Sequence, residues 1–555
     1  TLDPSRPLPE GTVKGSIFTL LSTIIGGGVL SLPFTFAGCG LGLGVFLTVA
    51  MALASSYSAN LLVWSAHRSG GESYEDIAHR TYGASCSTFV SVLVLLLVYM
   101  ASIGYVVLMG DLTTHLFPSI LDCSCHGAGS ALATYGQVKA CEERNRWIFM
   151  AVSIGVVYPV TLVKKLSALR FTSFISVMSI VVLAVALSYE SAVDNIHGDF
   201  TDQVQTEQSP CMAFHPGNRL ACIQWIQTDD FLPILLSIPI LACSYMCHFN
   251  VLPMHKELRR ATRERMGRVI SFTMGLSCTL YLVVATAGYF DFLTMLLTPL
   301  GGNVLNLYLQ SDVVVDIGRA GLLGTILLSF PLLVHPCRSL VEKILLDRCS
   351  RPSTARHFIV TTVLDLTVLV IGSLTPDIVV VWSVLGSTVA IMVAYVIPPL
   401  LYMKTLDMTP KDPREAARLI ATPMPGRGQR GLGANGGGGR DSSGGGEVGR
   451  GVDEGHGSSC RGKCAPAVLF VGGVIFCIVC TGASIYNIVT PRDHVPGTGP
   501  NMPCMSNISN RTNGSVPWGP GGNDSGSSAV VVEDAATPHG FQYVGIHVPA
   551  VAVRL

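Results

Sequence analysis

The stretch Thr23-Ile24-Ile25-Gly26-Gly27-Gly28-Val29-Leu30-Ser31-Leu32-Pro33 decides how this chain folds. It lies in the first long apolar segment, and lipid supplies no hydrogen bonds to a backbone that crosses it. Each interior glycine costs a helix about 1 kcal/mol relative to alanine, so three in succession predict a helix that breaks at its middle. Such a break is tolerated where it lines a cavity or binds a ligand, whereas glycines also let helices pack closely. Gly26 to Gly28 therefore form either a substrate and ion site or a packing contact.

The composition of the chain is that of a polytopic membrane protein. Of its 555 residues, 49% are hydrophobic and 13% are charged, whereas soluble domains carry about 25% charged residues. The formal net charge is zero, which argues against a nucleic-acid partner.

Apolar segments of about 20 residues predict an all-α protein with eleven transmembrane helices. The separation of the ninth helix from the tenth rests on the turn-forming run Ser373-Leu374-Thr375-Pro376-Asp377. The predicted helices span residues 16–37, 40–65, 87–117, 147–163, 168–189, 230–252, 269–290, 317–335, 357–374, 378–402 and 465–489.

The distribution of basic residues predicts a cytosolic N-terminus. With that orientation, 28 of the 36 Lys and Arg residues fall on the inner side, as the positive-inside rule requires. An odd number of spans then puts the C-terminal tail outside or in a lumen, where the glycosylation acceptors Asn507, Asn510, Asn513 and Asn523 are usable. The sequence predicts a multi-pass protein of the plasma membrane or of an acidic vacuolar or lysosomal membrane.

The same topology divides the chain into five regions. These are a cytosolic segment (1–15), a ten-helix core (16–402), a Gly-rich cytosolic loop (403–463), an eleventh helix (464–490) and an extracellular or luminal tail (491–555). The loop is too polar and too Gly-rich to bury a core, so we expect it to be disordered. Of the cysteines on the outer side, Cys211 and Cys222 share one loop and form the simplest predicted disulfide.

Three further segments carry a resemblance to a known family. The sixth helix has Pro239, then Cys247-His248, Leu252-Pro253 and Glu257-Leu258. Together with Lys164–Ser173 before the fifth helix and Ser329–Arg338 in the eighth, this pattern resembles the amino acid/auxin permease family. It is most similar to the sodium-coupled neutral amino acid transporter branch, and the resemblance covers about residues 12–402 and the final helix.

The resemblance implies a LeuT-like fold with two inverted repeats of five helices and an eleventh helix. In that fold the first and sixth helices are broken, which agrees with the glycines of helix one and with the Pro239–Ser244 region of helix six. The implied substrate site takes the carboxylate on the amides of Gly27 and Gly28 and the amino group on carbonyls near Ser244. The predicted substrate-binding residues are Ile25, Gly26, Gly27, Gly28, Cys243, Ser244 and Tyr245.

The coupling ion is left open between Na⁺ and H⁺. Sodium-coupled relatives carry an Asn and a Thr where this chain has Ser22 and Ser329, so the predicted ion ligands are Ser22, Ile25 and Ser329. The Ser22 side chain is shorter than that of Asn and lacks its amide carbonyl, which argues against Na⁺. Pro33 resembles the residue that the proton-coupled branch has at this position, which favours H⁺. Asp365 is either a proton relay or a hydrogen-bonded neutral acid within helix nine. His248 is either a structural hydrogen-bonding residue or a second group that senses pH.

These features predict a secondary active transporter of amino acids, most simply neutral ones, that works by alternating access. The alternative is a membrane amino acid sensor that binds substrate and signals through its cytosolic segments. An enzyme is disfavoured, because no nucleophile, base and metal ligand cluster at one depth. The expected partners are the amino acid and membrane lipids, with no organic cofactor, no metal, no nucleic acid and no obligate protein partner.

Overall fold

Long helices make up most of the described residues in the computed structural model of the protein. The helices of the first half are α1 (Val13–Ile24), α2 (Leu32–Cys39), α3 (Leu41–Ser69), α4 (Tyr74–Tyr82), α5 (Ala84–Leu116), α6 (Tyr135–Thr161) and α7 (Thr172–His197). Those of the second half are α8 (Leu232–Ser244), α9 (His248–Glu257), α10 (Arg263–Phe292), α11 (Val313–Val341), α12 (Thr354–Leu374), α13 (Ile378–Leu385), α14 (Ile397–Leu406) and α15 (Gly455–Val489). The structure describes residues 12–117, 135–163, 172–197, 222–227, 231–259, 261–297, 301–308, 312–346, 354–408 and 455–489.

Among these described residues, nine helices are long and apolar enough to cross a membrane. The number rises to ten when the bent pair Val13–Ile24 and Gly27–Cys39 is taken as one span. The predicted span 147–163 is not in this set, because the apolar part of its helix, α6, is short: charged residues extend to Arg146 and the helix ends at Thr161. The protein is therefore a multi-pass integral membrane protein.

Several helix starts follow from capping residues in the sequence. The side chains of Thr12, Ser73, Thr262, Asp312 and Asp377 each accept a hydrogen bond from a backbone amide in the first turn of the helix that follows, which satisfies a group that has no partner within the helix. Ser73 starts the short helix α4, which the hydropathy pattern did not predict. Asp377 starts α13, so the predicted ninth and tenth helices are separate.

The tenth predicted helix is not a uniform α-helix. After α13 the chain continues as two π-helical turns, Gly386–Ala390 and Met392–Val396, before α14. A β-carbon added to Gly386 would lie 2.1 Å from the carbonyl oxygen of Pro239. The close approach of α8 to this π-helical segment therefore requires a glycine.

The centre of the bundle is a 3₁₀-helical turn, Gly27–Ser31, between α1 and α2. It packs against α2, α5, α8, α10 and α13. The Ser31 hydroxyl donates a hydrogen bond of 2.8 Å to the carbonyl of Gly302 in the segment before α11. The glycine stretch therefore lies where helices from distant parts of the chain meet.

Candidate functional site

The first helix breaks at the glycine stretch. α1 ends at Ile24, Ile25 leaves the helical conformation (φ −82°, ψ 84°) and Gly26 is extended (φ −115°, ψ −155°). The halves before and after this break are bent by 50° relative to each other. No side chain caps the new turn that starts at Gly27, and the first amides of a helix have no partner within it. The break thus presents amide donors at the positive end of a helical segment.

Each of the three glycines is also closely packed. A β-carbon added to Gly26 would lie 2.8 Å from the Tyr105 hydroxyl, and one at Gly28 would lie 2.9 Å from the Ser244 hydroxyl. At Gly27 it would lie only 2.0 Å from Cδ1 of Leu108. Both interpretations of the glycines thus have a physical basis, since the break exists and its neighbours leave no room for side chains.

A second interruption separates α8 from α9. The helix continues through Pro239 and ends at Ser244; Tyr245 and Cys247 have non-helical backbone angles, and α9 starts at His248. The interruption thus lies just after the predicted Pro239–Ser244 region. The Ser244 hydroxyl donates a 2.8 Å hydrogen bond to the carbonyl of Ile240, four residues earlier in the last turn of α8.

The two interruptions lie against each other. Besides the approach of Gly28 to Ser244, the Tyr281 hydroxyl of α10 lies 2.8 Å from the carbonyl oxygen of Ile24 and 2.8 Å from that of Ser244. The ring of Tyr281 packs on that of Tyr245, with centroids 5.1 Å apart. The tertiary structure therefore brings the glycine stretch together with Ser244 and Tyr245, while Cys243 is half-buried at the end of α8.

Three aromatic residues at this site were not identified from the sequence. Tyr105 contacts Gly26, Tyr281 contacts both interruptions, and Trp382 lies 3.3 Å from the β-carbon position of Gly27. Their only signal in the sequence is a polar aromatic ring inside an apolar segment, which also occurs in ordinary cores.

The predicted ion ligands lie in α1, at the residue that follows it, and in α11. The Ser22 hydroxyl donates to the carbonyl of Thr19 at 2.9 Å, one turn back along α1. Ser329 is half-buried in α11. In the parts of α1 and α11 that the structure describes, no hydrogen bond joins Ser22 or Ile25 to Ser329.

The two predicted titratable residues lie in different surroundings. His248 is fully buried at the start of α9, with its ring 6.3 Å from that of Tyr395, and its ring nitrogens have no hydrogen-bond partner among the described residues. Asp365 accepts a 2.9 Å hydrogen bond from the Thr161 hydroxyl. Arg338 in turn donates to the Thr161 carbonyl at 3.0 Å. Asp365 thus belongs to a network joining α6, α11 and α12, whereas His248 directly follows the second interruption.

The disulfide and glycosylation predictions fall largely outside the described residues. Cys222 is disulfide-bonded, as is Cys141. Cys211 lies outside the described part of the chain, so the Cys211–Cys222 pair stays a prediction. The four predicted glycosylation acceptors also lie outside it, namely Asn507, Asn510, Asn513 and Asn523.

A polar cluster lies where α5, α6 and the start of α13 come together. Arg146 pairs with Asp111 at 2.7 Å and donates to the Thr375 carbonyl at 3.0 Å. The Asp377 carboxyl faces Gly302 across this cluster. Although part of Asp377 is exposed, burial of its carboxyl raises its pKa from 3.8 to about 7, and the charge of Asp111 acts in the same direction, while the capped Val379 amide lowers it.

The raised pKa of Asp377 predicts a pH-dependent stability. A carboxyl with a higher pKa in the folded state favours its protonated form, so its contribution is full below pH 3.8 and is lost as the pH rises through about 7. We expect the melting temperature of the wild type to fall relative to that of Asp377→Asn between about pH 5 and pH 8, since asparagine caps helices equally well. Identical pH profiles for the two purified proteins would contradict this.

Comparisons with known proteins identify the family of the chain. Residues 9–419, well over half of the chain, match the family described as "Transmembrane amino acid transporter protein". The chain is 24% identical over 400 residues to "Sodium-coupled neutral amino acid symporter 2" of Danio rerio, which covers 70% of this chain and 74% of the relative.

Two solved transporter structures are similar to the chain at low sequence identity. MhsT in complex with L-phenylalanine has a TM-score of 0.48 at 11% identity, covering 86% of this chain and 100% of that one. A manganese transporter of Eremococcus coleocola has a TM-score of 0.47 at 12% identity, covering 88% of this chain and 92% of that one. On the family match, the chain belongs to the transmembrane amino acid transporter family and is a multi-pass membrane transporter rather than an enzyme.

Proposed function

We propose that the protein is a secondary active transporter that moves neutral amino acids across a membrane by alternating access. The observation that carries the proposal is the contact between two interrupted helices, with Gly28 against Ser244 and the Tyr281 hydroxyl between the carbonyls of Ile24 and Ser244. Interrupted helices expose unpaired backbone groups inside the membrane, where they can bind a polar solute that lipid cannot.

The two interruptions offer complementary charges to an amino acid. The amides of Gly27 and Gly28 lie at the positive end of a helical segment, which suits the carboxylate. The carbonyl of Ser244 lies at the negative end of α8, which suits the ammonium group. In this proposal the backbone binds both charged groups of the substrate, and the substrate site comprises Ile25, Gly26, Gly27, Gly28, Cys243, Ser244 and Tyr245.

The side chains around the glycines support a neutral substrate. Those nearest to the three glycines belong to Tyr105, Leu108, Trp382 and Ser244, none of which carries a charge. A charged substrate side chain would be desolvated there without a counter-ion, which costs several kcal/mol. The relative from Danio rerio is named as a neutral amino acid symporter, which agrees with this choice.

We propose Na⁺ as the coupling ion, with H⁺ as the second candidate. Na⁺ is supported by the name of the same relative, a sodium-coupled symporter. H⁺ is favoured by the orientation of Ser22, whose hydroxyl is engaged within its own helix, and by the buried His248 beside the second interruption. Ser22, Ile25 and Ser329 are the proposed Na⁺ ligands, whereas His248 and Asp365 are the groups that would carry a proton.

We further propose that the membrane topology is that of eleven spans, with two inverted repeats of five helices. In this arrangement α1 with α2, and α8 with α9, are the interrupted first helices of the two repeats, and α6 is a span despite its charged start. The N-terminus is cytosolic and the C-terminus is extracellular or luminal, in the plasma membrane or an acidic organelle. The disulfide-bonded Cys141 and Cys222 support this orientation, because both lie on the proposed outer side.

Transport by purified protein in liposomes tests the proposal. We expect labelled neutral amino acids to accumulate above their equilibrium concentration only when an inward Na⁺ gradient is imposed, because a secondary transporter draws its work from the ion. Protein-free liposomes and liposomes with a Na⁺ ionophore are the controls. Accumulation that follows an imposed pH gradient instead would replace Na⁺ with H⁺. Substrate binding without any flux would contradict transport and favour the sensor.

A further inference from the structure

Tyr281 is the residue that touches both helix interruptions. It lies in α10, is fully buried, and places its hydroxyl oxygen 2.8 Å from the carbonyl oxygen of Ile24 and 2.8 Å from that of Ser244. The two carbonyls are separated by 220 positions in the sequence. They belong to the last residues of α1 and α8, so one side chain links two helix ends.

Both carbonyls lose their helical donor at the interruptions. In a continuous helix the amides of Gly28 and His248 would bond to the carbonyls of Ile24 and Ser244, four residues earlier. The breaks remove those amides, and an unpaired buried carbonyl costs about 1–3 kcal/mol in a folded protein. The carbonyl of Ile24 also accepts a 3.0 Å bond from the Gly26 amide, and Tyr281 provides the donor that both helix ends share.

A tyrosine hydroxyl has one proton, so it cannot donate fully to two carbonyls at once. At equal distances the proton is shared, and each carbonyl keeps part of its capacity to accept another bond. A donor arriving at Ser244, such as a substrate ammonium group, would compete with Tyr281 for that carbonyl and shift the Tyr281 proton toward Ile24. Occupation of the second interruption would then strengthen the bond that holds the first.

We infer that Tyr281 is a positioning residue that couples the two helix interruptions through its single hydroxyl proton. The inference rests on the proposed function for the identity of the arriving donor, but the link between the interruptions does not. α10 is suited to this role, because it packs against α1, α2, α3 and α7 and so holds the hydroxyl on a long continuous helix.

The experiment compares Tyr281→Phe with Tyr289→Phe. Both remove one hydroxyl from α10 and keep the ring, but the Tyr289 hydroxyl accepts a bond from the Gln224 amide, away from the interruptions. In detergent, we expect amide hydrogen exchange in Tyr281→Phe to rise about tenfold in peptides covering both residues 25–28 and residues 245–248. Tyr289→Phe should leave exchange in both peptides at the wild-type level.

Uptake provides a second measurement that does not require purified variants. In cells, normalised to the transporter in the membrane, Tyr281→Phe should raise KM about tenfold while the maximal rate changes by less than about twofold. The probe is whichever of labelled L-alanine, L-glutamine and L-leucine the wild type takes up fastest. A purely structural loss would lower the maximal rate per transporter and leave KM unchanged.

The outcomes separate this inference from the proposed function. Unchanged exchange at either interruption, or an unchanged KM, would overturn the role of Tyr281. If the wild type takes up none of the three amino acids under either gradient, the proposed function fails, while the exchange comparison still decides whether Tyr281 links the interruptions.

Discussion

Replacing Gly27 with leucine is expected to abolish amino acid uptake while the protein still reaches the membrane. The first carbon of any side chain at this position would lie 2.0 Å from Cδ1 of Leu108 and 3.3 Å from Cζ2 of Trp382. Rotation of the Leu108 side chain can make room for one added carbon. A whole leucine side chain would also have to occupy the space next to the 3₁₀ turn, where the substrate is proposed to bind. We expect a loss of at least about 3 kcal/mol in substrate binding, which is about two orders of magnitude in affinity.

A graded series distinguishes crowding at the site from general damage. Gly27→Ala should retain measurable uptake, since only the flexible end of Leu108 has to give way. Gly275→Leu is the matched control, because a β-carbon added to this exposed residue of α10 meets nothing within 4 Å. Uptake by Gly27→Leu at the level of Gly275→Leu would exclude the glycine stretch as the substrate site.

Replacing Arg319 with alanine is expected to destabilise the protein by about 3 kcal/mol, mainly because the carbonyls of Leu305 and Tyr308 lose their buried donor. The ion pair contributes less, since the side chain of Asp316 is 30% exposed. The Arg319 side chain is fully buried and pairs with Asp316 at 2.6 Å. It also donates to the carbonyls of Leu305 at 2.6 Å and Tyr308 at 2.9 Å. These hydrogen bonds hold the segment before α11 in place. The Gly302 carbonyl of the same segment accepts a hydrogen bond from the Ser31 hydroxyl.

Thermal denaturation in detergent measures this loss, and Arg80→Ala is its control. The Arg80–Asp76 pair spans 3.1 Å, but its side chains are 40% and 34% exposed, and pairs of that kind contribute about 0–1 kcal/mol. We therefore expect the melting temperature of Arg319→Ala to fall well below that of Arg80→Ala. Equal melting temperatures for the two variants would show that the hydrogen bonds of Arg319 do not hold the segment.

Much of the architecture could be read from local patterns. The apolar segments predicted a multi-pass membrane protein, and the turn around Thr375 separated two helices that are separate in the structure. Hydropathy was a poorer guide where a helix extends beyond its apolar part. α6 begins at Tyr135, well before the predicted residue 147, because helix formation tolerates the charged residues that a membrane segment excludes.

The position of the second interruption was also predicted only approximately from the sequence. Pro239 marked the region, yet the helix passes through it and breaks at Tyr245–Cys247. A proline removes one amide donor from the helix. The position of the break also depends on which groups bind the carbonyls near the helix end. Here the carbonyl of Pro239 lies against Gly386, and that of Ser244 lies against Tyr281. Both contacts come from helices distant in the sequence.

By itself, the sequence predicted a break in the first helix at Gly26 to Gly28, because the cost of three glycines to a helix is local. In the structure α1 ends just before them, at Ile24. It could not determine whether those glycines pack or bind, since the answer depends on what approaches them. The tertiary structure decided that Ser244 and Tyr281 meet this break, and that Ser22 turns back to its own helix. The physical reason is that backbone propensity acts within one turn, whereas a hydroxyl shared by two helix ends exists only after three helices have packed.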